Sequence, residues 1–421
     1  MFKFIHAADL HLDSPLRGLS RYESAPVEAI RDACRKAFIN LVDLAIQEKV
    51  DFVLLAGDLY DGDWEDYSTG IFFSMQIGRL NRENIRVFNV AGNHDAANRI
   101  TKALEHPANM TMFTHRKAET VKLEDLRTVI HGQSFREQHV YDNLAAEFPP
   151  PQKGWFNIGL LHTSLDGREG HAPYAPCRVD DLVQKGYQYW ALGHVHNKET
   201  VLKDPYIIFP GCIQGRHIRE TGPKGCVLVT VNDNHISSLE EIPLDVLRWA
   251  YATVDLTDAE GINDLKERTR SIIEKGVADA HGRPLAMRIR LTGATALAAQ
   301  IATNPHHIEQ EVRALGAETV GEELWLEKIE LAVSGKLDLD SMTSGSGPLS
   351  QLLGDILTMK NDPNLIDGLN EILADLRLKT PREAYGEDSP LNLNEKETVE
   401  RIIKEAKEML VGKLLTEGEA K

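Results

Sequence analysis

Five short motifs in the first half of the chain carry Asp, His and Asn side chains that are suited to binding metal ions. Each motif follows or closes a short apolar run of the kind that forms a buried β-strand. Because sites in open α/β sheets form in the crevice outside the carboxyl ends of the strands, we expect these side chains to meet there. The seven candidate metal ligands are Asp9, His11, Asp58, Asn93, His162, His194 and His196.

The ligand types indicate both the metals and the reaction. Carboxylate and amide oxygens mixed with imidazole nitrogens, without thiolates, suit Mn²⁺, Fe²⁺ or Zn²⁺. Two such ions about 4 Å apart can clamp the attacking and leaving oxygens of an in-line phosphoryl displacement. We predict that Asp58 bridges the two ions. The other ligands would divide into two sets, Asp9 with His11 and His196, and Asn93 with His162 and His194.

Any one of these motifs alone would more often be a capped turn than part of a site. Their joint occurrence, each at a strand end and each offering only metal-competent side chains, favours the metal site. Gly57, Gly92 and Gly193 fit both interpretations, because glycine eases tight turns.

The order of the motifs resembles that of the calcineurin-like metallophosphoesterases, with all five elements present. Within that superfamily, residues 5–12, 55–61 and 209–225 resemble the SbcD-type DNA repair nucleases. The runs at residues 11–16 and 214–217 resemble the YhaO-like bacterial branch. The resemblance covers residues 1–245 well and the remainder only in outline.

The resemblance implies a fold and a function. The fold would be of the α/β class, a four-layer αββα metallophosphoesterase sandwich with a small α+β capping domain and C-terminal helices. The function would be that of a Mn²⁺-dependent DNA nuclease, exonuclease or endonuclease, in double-strand-break repair or end processing. DNA, an SMC-like ATPase subunit of the SbcC type and a second copy of the chain would be its partners.

The resemblance also assigns roles beside the metals. His94 would be the acid or transition-state residue and Asp95 would orient it. A protonated imidazole at this place can donate to the leaving 3′ oxygen or to the charge that develops on phosphorus. In some relatives a histidine that is linked to exonuclease action stands where this chain has Asp61, so the mode of cleavage stays open.

The histidines outside the five motifs are predicted to have ordinary surface or hydrogen-bonding roles. They are His6, His115, His131, His139, His171, His217 and His235. His217 is the best exception, because together with Arg216 and Arg219 it could hold a phosphate beside the metals. A turn with solvated charges is an equal alternative for that segment. His171 lies in a Gly- and Pro-containing loop that could line the substrate groove.

Composition describes a soluble, multidomain protein. The chain has 421 residues, of which 42% are hydrophobic and 26% charged, and we expect two or three domains. Its four cysteines are scattered without a C-x-x-C pair, which favours a reducing cytoplasm. The sequence has no run of 18 apolar residues and its first residues enter a strand directly, so we predict no membrane contact, no signal peptide and a cytoplasmic location.

The formal net charge of −17 is unusual for an enzyme that binds DNA. Proteins that hold duplex DNA on their own carry a basic face that releases counterions. Bound divalent ions would invert the local field over the carboxylates, and a partner subunit could supply the remaining affinity. The acidity therefore favours a partner.

Periodicity divides the chain into four segments. Residues 1–245 are predicted to form the metallophosphoesterase (nuclease) domain, and residues 246–333 an α+β capping domain in the order β-α-β-α-β with a helix break at Pro305. Residues 334–348, rich in Gly and Ser, are predicted to be a linker. Residues 349–421 are predicted to form amphipathic helices. The resemblance implies that these helices dock on the ATPase, and folding back onto the protein itself is the alternative.

Two rival functions stay open from the sequence. A metallophosphatase or small-nucleotide phosphodiesterase would use the same ligands, but a small substrate needs neither the extra domain nor the linked helices. A non-catalytic scaffold would not need intact ligands in all five motifs.

Overall fold

The computed structural model of the chain describes residues 1–14, 27–61, 67–97, 107–166 and 174–335. The predicted linker from residue 336 onward, the predicted helical segment 349–421 and His171 lie outside these ranges. Among the described residues, no helix is long and apolar enough to cross a membrane.

Strands and α-helices alternate over residues 2–112, as is typical of α/β proteins, and strands predominate from there to residue 255. The strands are β1 (Phe2–Ala7), β2 (Phe52–Leu55), β3 (Arg86–Asn89), β4 (Met110–Met112), β5 (Glu119–Leu123), β6 (Thr128–Gln133), β7 (Phe156–His162), β8 (Tyr189–Gly193), β9 (Glu199–Lys203), β10 (Tyr206–Phe209), β11 (Gly225–Asn232), β12 (His235–Pro243), β13 (Arg248–Asp255), β14 (Leu285–Thr295) and β15 (Leu324–Gly335). The helices are α1 (Val27–Glu48), α2 (Ser68–Arg82), α3 (Asn93–Ala97), α4 (Val179–Gln184), α5 (Ile262–Ala280), α6 (Ala298–Thr303) and α7 (Pro305–Val320).

Two six-stranded mixed sheets form the body of the phosphoesterase region. The first has the order β12-β11-β1-β2-β3-β4 and the second the order β5-β6-β7-β8-β10-β9. The central strands β1 to β4 pair in parallel, as do β6, β7, β8 and β10. Parallel strands that are buried on both faces need continuous apolar runs, and β2, with the sequence Phe-Val-Leu-Leu, is buried throughout.

The core between the sheets is built from aromatic rings. Phe4 and Phe52 of the first sheet stack with ring centroids 5.0 Å apart. Tyr189 of the second sheet meets Phe4 edge-on at 5.2 Å, and Phe156 joins the same buried cluster. Such pairs add stability beyond their apolar area, and together they fix the two sheets face to face.

Helices cover the outer faces of both sheets. Phe38 of α1 and Phe73 of α2 pack in one cluster with residues of β1 and β2. Leu182 of α4 packs with Trp190 of β8 on the second sheet, and its carbonyl accepts a hydrogen bond from the indole nitrogen. The layers therefore run helix, sheet, sheet, helix, and the predicted α/β sandwich is confirmed.

The remaining elements follow the predicted order. Strands β13, β14 and β15 form a three-stranded sheet, with α5 after β13 and with α6 and α7 after β14. The helix break predicted at Pro305 falls between α6 and α7. Strand β15 includes Ser334 and Gly335, which the sequence analysis had assigned to the linker. By its contacts the chain divides into one unit of residues 1–251, 275–288 and 320–327, and a second unit that includes residues 252–274 and 289–319.

Candidate metal centre

The predicted ligands lie in loops that follow parallel strands and open at one edge of the sandwich. Asp9 follows β1, Asp58 follows β2, and Asn93 begins α3 just beyond β3. His162 is the last residue of β7, and His194 comes directly after β8. All seven predicted ligands are present at this edge, which is where the topology of the two sheets brings their loops together.

Four of the predicted ligands have a left-handed backbone, which is uncommon for residues other than glycine. They are Asp9, His11, Asp58 and His194, with φ of 51°, 42°, 52° and 104°. Hydrogen bonds between neighbouring loops hold two of them. The Asp9 amide donates to the Gly57 carbonyl and the His11 amide to the Asp58 carbonyl, each at 3.0 Å. Such conformations cost about 1–3 kcal/mol each and cluster at functional sites, where the surrounding structure enforces them.

Glycines allow the loops to approach each other closely. A Cβ atom on Gly92 would collide with Oδ1 of Asp58, and one on Gly193 with the Ala56 carbonyl oxygen. Of the glycines in the motifs, Gly57 has a positive φ, at 91°. Gly92 and Gly193 are required because neighbouring loops lie too close for a side chain, and not because of a turn. The sequence alone does not distinguish these two reasons.

One group of ligand atoms is the set predicted for the first ion. Asp9, His11 and His196 offer atoms that lie within 4.8 Å of one another. Nε2 of His11 and Nε2 of His196 are 3.1 Å apart. Two imidazole nitrogens at this distance are well placed to share a cation.

A second group surrounds the site predicted for the other ion. Asp58, His162 and His194 have ligand atoms within 4.8 Å of one another, and Asn93 Oδ1 lies 3.1 Å from His162 Nε2. Oδ2 of Asp58 is 3.4 Å from His162 Nε2 and 4.0 Å from His11 Nε2. Asp58 thus lies between the two groups, as a bridging carboxylate must.

Outer partners orient the imidazole rings toward the ligand groups. His162 Nδ1 donates to the Ala56 carbonyl at 2.9 Å, so Nε2 faces the ligand group and can bind a metal when it loses its proton. His196 Nδ1 lies 2.8 Å from Glu220 Oε1, which frees its Nε2 in the same way. Metal-bound histidines nearly always donate their second nitrogen in this manner.

The electrostatics around His162 and Asp58 favour positive charge. Burial disfavours the charged form of His162, yet the carboxylates of Asp58 and Asp9 outweigh it and raise the pKa of His162 to about 9. Burial also raises the pKa of Asp58, but the neighbouring His162 more than compensates, so the pKa lies below its usual range. A buried pocket that stabilises a proton on imidazole will stabilise a cation, and its oxygen and nitrogen donors fit two divalent ions.

His94 lies beside both groups and is partly open to solvent. Its side chain is 35% exposed and its ring centroid is 5.0 Å from that of His11. Its Nδ1 is 3.0 Å from Asp61 Oδ1. Burial lowers the pKa of His94, but the hydrogen bond to Asp61 and the charge of Asp58 outweigh it, so the pKa is raised. The structure therefore places a partly exposed imidazole with a raised pKa beside the two ligand groups.

The predicted role of Asp95 needs correction, because the carboxylate within hydrogen-bond distance of the His94 ring is Asp61. Asp95 accepts hydrogen bonds from the amides of Gly92, Leu59 and Tyr60, at 3.0–3.2 Å. Burial and the nearby Asp58 raise the pKa of Asp95 to about 7. Asp95 therefore ties together the loops that follow β2 and β3, while Asp61 is the carboxylate that contacts the His94 ring.

Arg216 also differs from its prediction as a phosphate contact. Its guanidinium is buried and pairs with Glu220 at 2.8 Å and with Asp61 at 3.0 Å. Glu220, the partner of His196, was missed from the sequence because only the cations of that segment were considered. Its spacing four residues after Arg216 was the available signal. His217 is half-exposed, with Nε2 3.6 Å from Glu220.

The described histidines outside the motifs include two that are buried and hydrogen-bonded, as predicted. His6 contacts the Tyr189 hydroxyl at 2.9 Å and the Leu192 carbonyl at 3.1 Å. His131 contacts the Thr120 hydroxyl at 2.8 Å. His115 and His235 are exposed, and His139 lies against Tyr174 with ring centroids 5.4 Å apart.

Comparison with known proteins defines the class to which this site belongs. Residues 2–198 match the family model of the calcineurin-like phosphoesterases, which bind two divalent metals. Residues 249–334 match the middle domain of metallophosphoesterase YhaO. The chain is 37% identical over 294 residues to the uncharacterized metallophosphoesterase YhaO of Bacillus subtilis, covering 69% of this chain and 71% of that protein. The chain belongs to the calcineurin-like metallophosphoesterases, in their YhaO-like branch, and is a metal-dependent hydrolase by family.

Two more distant similarities accompany this match. The chain is 24% identical over 297 residues to the DNA double-strand break repair protein Mre11 of Sulfurisphaera tokodaii, covering 67% of this chain and 72% of that protein. Among solved structures, a dimetal phosphatase from Danio rerio matches with a TM-score of 0.33 and 11% identity, over 57% of this chain and 97% of that one.

Proposed function

We propose that the protein is a Mn²⁺-dependent DNA nuclease that hydrolyses phosphodiester bonds. The observation that carries this proposal is the His94–Asp61 pair beside the two ligand groups. A sugar alkoxide is a poor leaving group, so hydrolysis of a DNA phosphodiester benefits from an acid that is held close to the metals. The similarity to Mre11, a DNA repair protein, supports DNA as the substrate.

Each part of the site has a task in this reaction. Asp9, His11, Asp58, Asn93, His162, His194 and His196 would hold two divalent ions. When bound, the ions would supply Lewis-acid chemistry that neutralises charge on the phosphate. His94 would donate a proton from its open Nε2 to the leaving oxygen, because Asp61 binds the other ring nitrogen.

The test is Mn²⁺-dependent cleavage of end-labelled duplex and single-stranded DNA by wild type and by His94→Gln, with bis-p-nitrophenyl phosphate as a small-ester control. We expect DNA cleavage that falls by about 10²–10⁴-fold in the variant, the usual contribution of a general acid. The DNA is supplied in large excess, so that weak binding by the isolated chain does not limit cleavage. Hydrolysis of the small ester without any DNA cleavage under these conditions would contradict DNA as the substrate and support a small-molecule phosphodiesterase.

We further propose that an SMC-like ATPase loads the DNA. The net charge of −17 supports this, because so acidic a chain lacks the counterion-releasing charge that holds DNA unaided. The test is DNA affinity of the isolated protein at about 150 mM salt, near the ionic strength of the cell. Tight binding without a partner would contradict the proposal.

A homodimer is supported by an apolar stripe at helix α2. Tyr67, Ile71 and Met75 recur every fourth residue and are 53%, 55% and 63% exposed. Residues at this spacing share one helix face, and exposed apolar stripes mark interaction surfaces. Light scattering of wild type and Met75→Lys tests this: we expect a dimer that dissociates in the variant, and a wild-type monomer would contradict it.

We propose a cytoplasmic location. All four cysteines are free thiols in the structure and are buried. This agrees with a reducing compartment. Fluorescence microscopy of a tagged protein tests the location, and a membrane or extracellular signal would contradict it.

A further inference from the structure

A chain of buried charged groups joins one metal-ligand candidate to the acid. It begins at His196, whose Nδ1 lies 2.8 Å from Glu220 Oε1. Glu220 accepts from Arg216 Nη2 at 2.8 Å, and Arg216 Nη1 donates to Asp61 Oδ2 at 3.0 Å. Asp61 then contacts His94 Nδ1 through its other oxygen, at 3.0 Å. Every link has hydrogen-bond length, so the chain is continuous from one imidazole to the other.

The chain is rigid because a buried turn holds its centre. The Arg216 amide donates to Glu220 Oε2 at 2.7 Å, so Glu220 holds both the backbone and the guanidinium of Arg216. The Gly215 carbonyl accepts from the Trp249 indole at 3.0 Å and from the Gln214 side chain at 2.9 Å. A Cβ on Gly215 would lie 2.6 Å from the Glu220 carbonyl oxygen, so this turn requires glycine. The guanidinium therefore has little freedom to reorient.

Burying these three charged side chains costs desolvation free energy, so the gain in stability does not explain the arrangement. The side chains of Arg216, Glu220 and Asp61 are 9%, 3% and 17% exposed. Buried ion pairs are often no more stabilising than apolar side chains of the same size. Arg216 is also too deeply engaged to serve as a free phosphate contact, because the carboxylates already occupy both ends of its fork.

We propose that Arg216 is a positioning residue that couples the His196 ligand to the acid His94, through Glu220 on one side and Asp61 on the other. The planar guanidinium fork can hold two carboxylates at fixed angles at once, which a lysine ammonium cannot. One residue thereby aligns the metal-binding and the proton-donating sides of the site. This inference rests on the metal-dependent hydrolase and not on DNA as the substrate.

The first test reports ring positions without turnover. Long-range ¹H–¹⁵N spectra of the metal-free, histidine-labelled protein are compared for wild type, Arg216→Lys and Arg248→Lys. Arg248 is a matched control, because it forms a comparably buried pair with Asp245, at 2.9 Å and with side chains 7% and 1% exposed. We expect Arg216→Lys to shift the ring signals of both His94 and His196, and Arg248→Lys to shift neither. A shift at only one ring, or equal shifts in the control, would overturn the coupling.

The second test measures the coupling as a double-mutant cycle. Glu220→Gln is expected to weaken Mn²⁺ binding at one of two sites by about 10–100-fold, as is usual for an outer partner of a ligand, and to lower kcat at saturating Mn²⁺ as well, because it releases Arg216 from one side. Asp61→Asn is expected to lower kcat for a dinucleotide diester, whose leaving group is a sugar alkoxide, by about tenfold or more, but to change kcat for bis-p-nitrophenyl phosphate much less, because p-nitrophenolate leaves without an acid. Because residues that act as a unit are not additive, the double variant at saturating Mn²⁺ should lose little more kcat than the worse single variant. Losses in kcat that multiply would show independent residues and overturn the proposal.

Discussion

The core between the two sheets and the loops at their carboxyl edge are built on opposite principles. In the core, Phe4, Phe52 and Tyr189 pack as stacked and edge-on rings without a buried charge among them. At the edge, Asp9 and Asp58 are also buried, but they are charged groups on left-handed backbone. Stability therefore resides in the sheets, and the sheets hold a site that would not form by itself.

The largest effect that separates the two regions is expected from Asp58→Asn. Removing the bridging carboxylate should lower hydrolysis of bis-p-nitrophenyl phosphate by about 10³-fold or more, beyond the 10–100-fold typical of outer partners. Stability of the metal-free protein should fall by no more than the about 3–5 kcal/mol typical of breaking a buried ion pair, because the variant loses the pairing with His162 but also relieves repulsion with Asp9. Thermal unfolding in EDTA measures the stability, and a variant that does not fold would show that Asp58 is a structural residue instead.

Phe4→Ala should give the converse result. Losing a fully buried ring from the inter-sheet core should cost about 3–5 kcal/mol of unfolding free energy. Mn²⁺ affinity measured well below the unfolding transition should stay within about twofold, because no ligand contacts the cavity. Denaturant titration gives the first quantity and calorimetry the second. A large loss of metal affinity would show that core and site are not separable.

Acid sensitivity should arise partly from the core, at His6. Burial lowers the pKa of His6 to about 3, despite the Leu192 carbonyl, so the folded protein holds a neutral ring. The unfolded chain binds a proton below its ordinary pKa of about 6.5 and the folded chain does not, so stability falls as pH drops below 6.5.

The expected size is about 1.4 kcal/mol per pH unit from this one group, or roughly 2 kcal/mol between pH 6.5 and 5. Chemical unfolding in EDTA of wild type and His6→Gln measures it, and the variant should show the shallower slope. Parallel slopes would mean that His6 is not buried as a neutral ring.

The smallest expected effects come from two glycine substitutions, one in the site and one in a helix, which should differ in their effect on Mn²⁺ affinity. Gly92→Ala places a Cβ against Asp58 and should weaken Mn²⁺ binding, with at most about 1–3 kcal/mol lost from the fold through overpacking. Gly78→Ala lies in α2 with open space around it, and should stabilise the protein by about 0.5–1 kcal/mol without affecting the metals. Calorimetric Mn²⁺ titration separates them, and equal affinities in the two variants would contradict the close packing around Asp58.

Much of the fold could be predicted from the sequence, because its signals are local. The apolar run at residues 52–55 identifies a buried strand, and the polar residues that follow identify its functional end. The break between α6 and α7 is likewise indicated by a single residue, Pro305. The ligand grouping also follows from motif order, because parallel strands bring their ends to one edge.

The orienting contacts could not be predicted, because they depend on which loops meet in three dimensions. Arg216 and Glu220 look like solvated charges in the sequence, yet they are buried. Asp95 adjoins His94 in the chain, but the short helix that begins at Asn93 directs its carboxylate to the backbone of the neighbouring loop. Asp61, from a different loop, contacts the acid in its place.

The two-ion site is tested most directly by anomalous X-ray diffraction from crystals grown with Mn²⁺. Two peaks are expected, one among Asp9, His11 and His196 and the other among Asn93, His162 and His194, with the Asp58 carboxylate touching both. A single peak, or peaks away from these residues, would contradict the assignment.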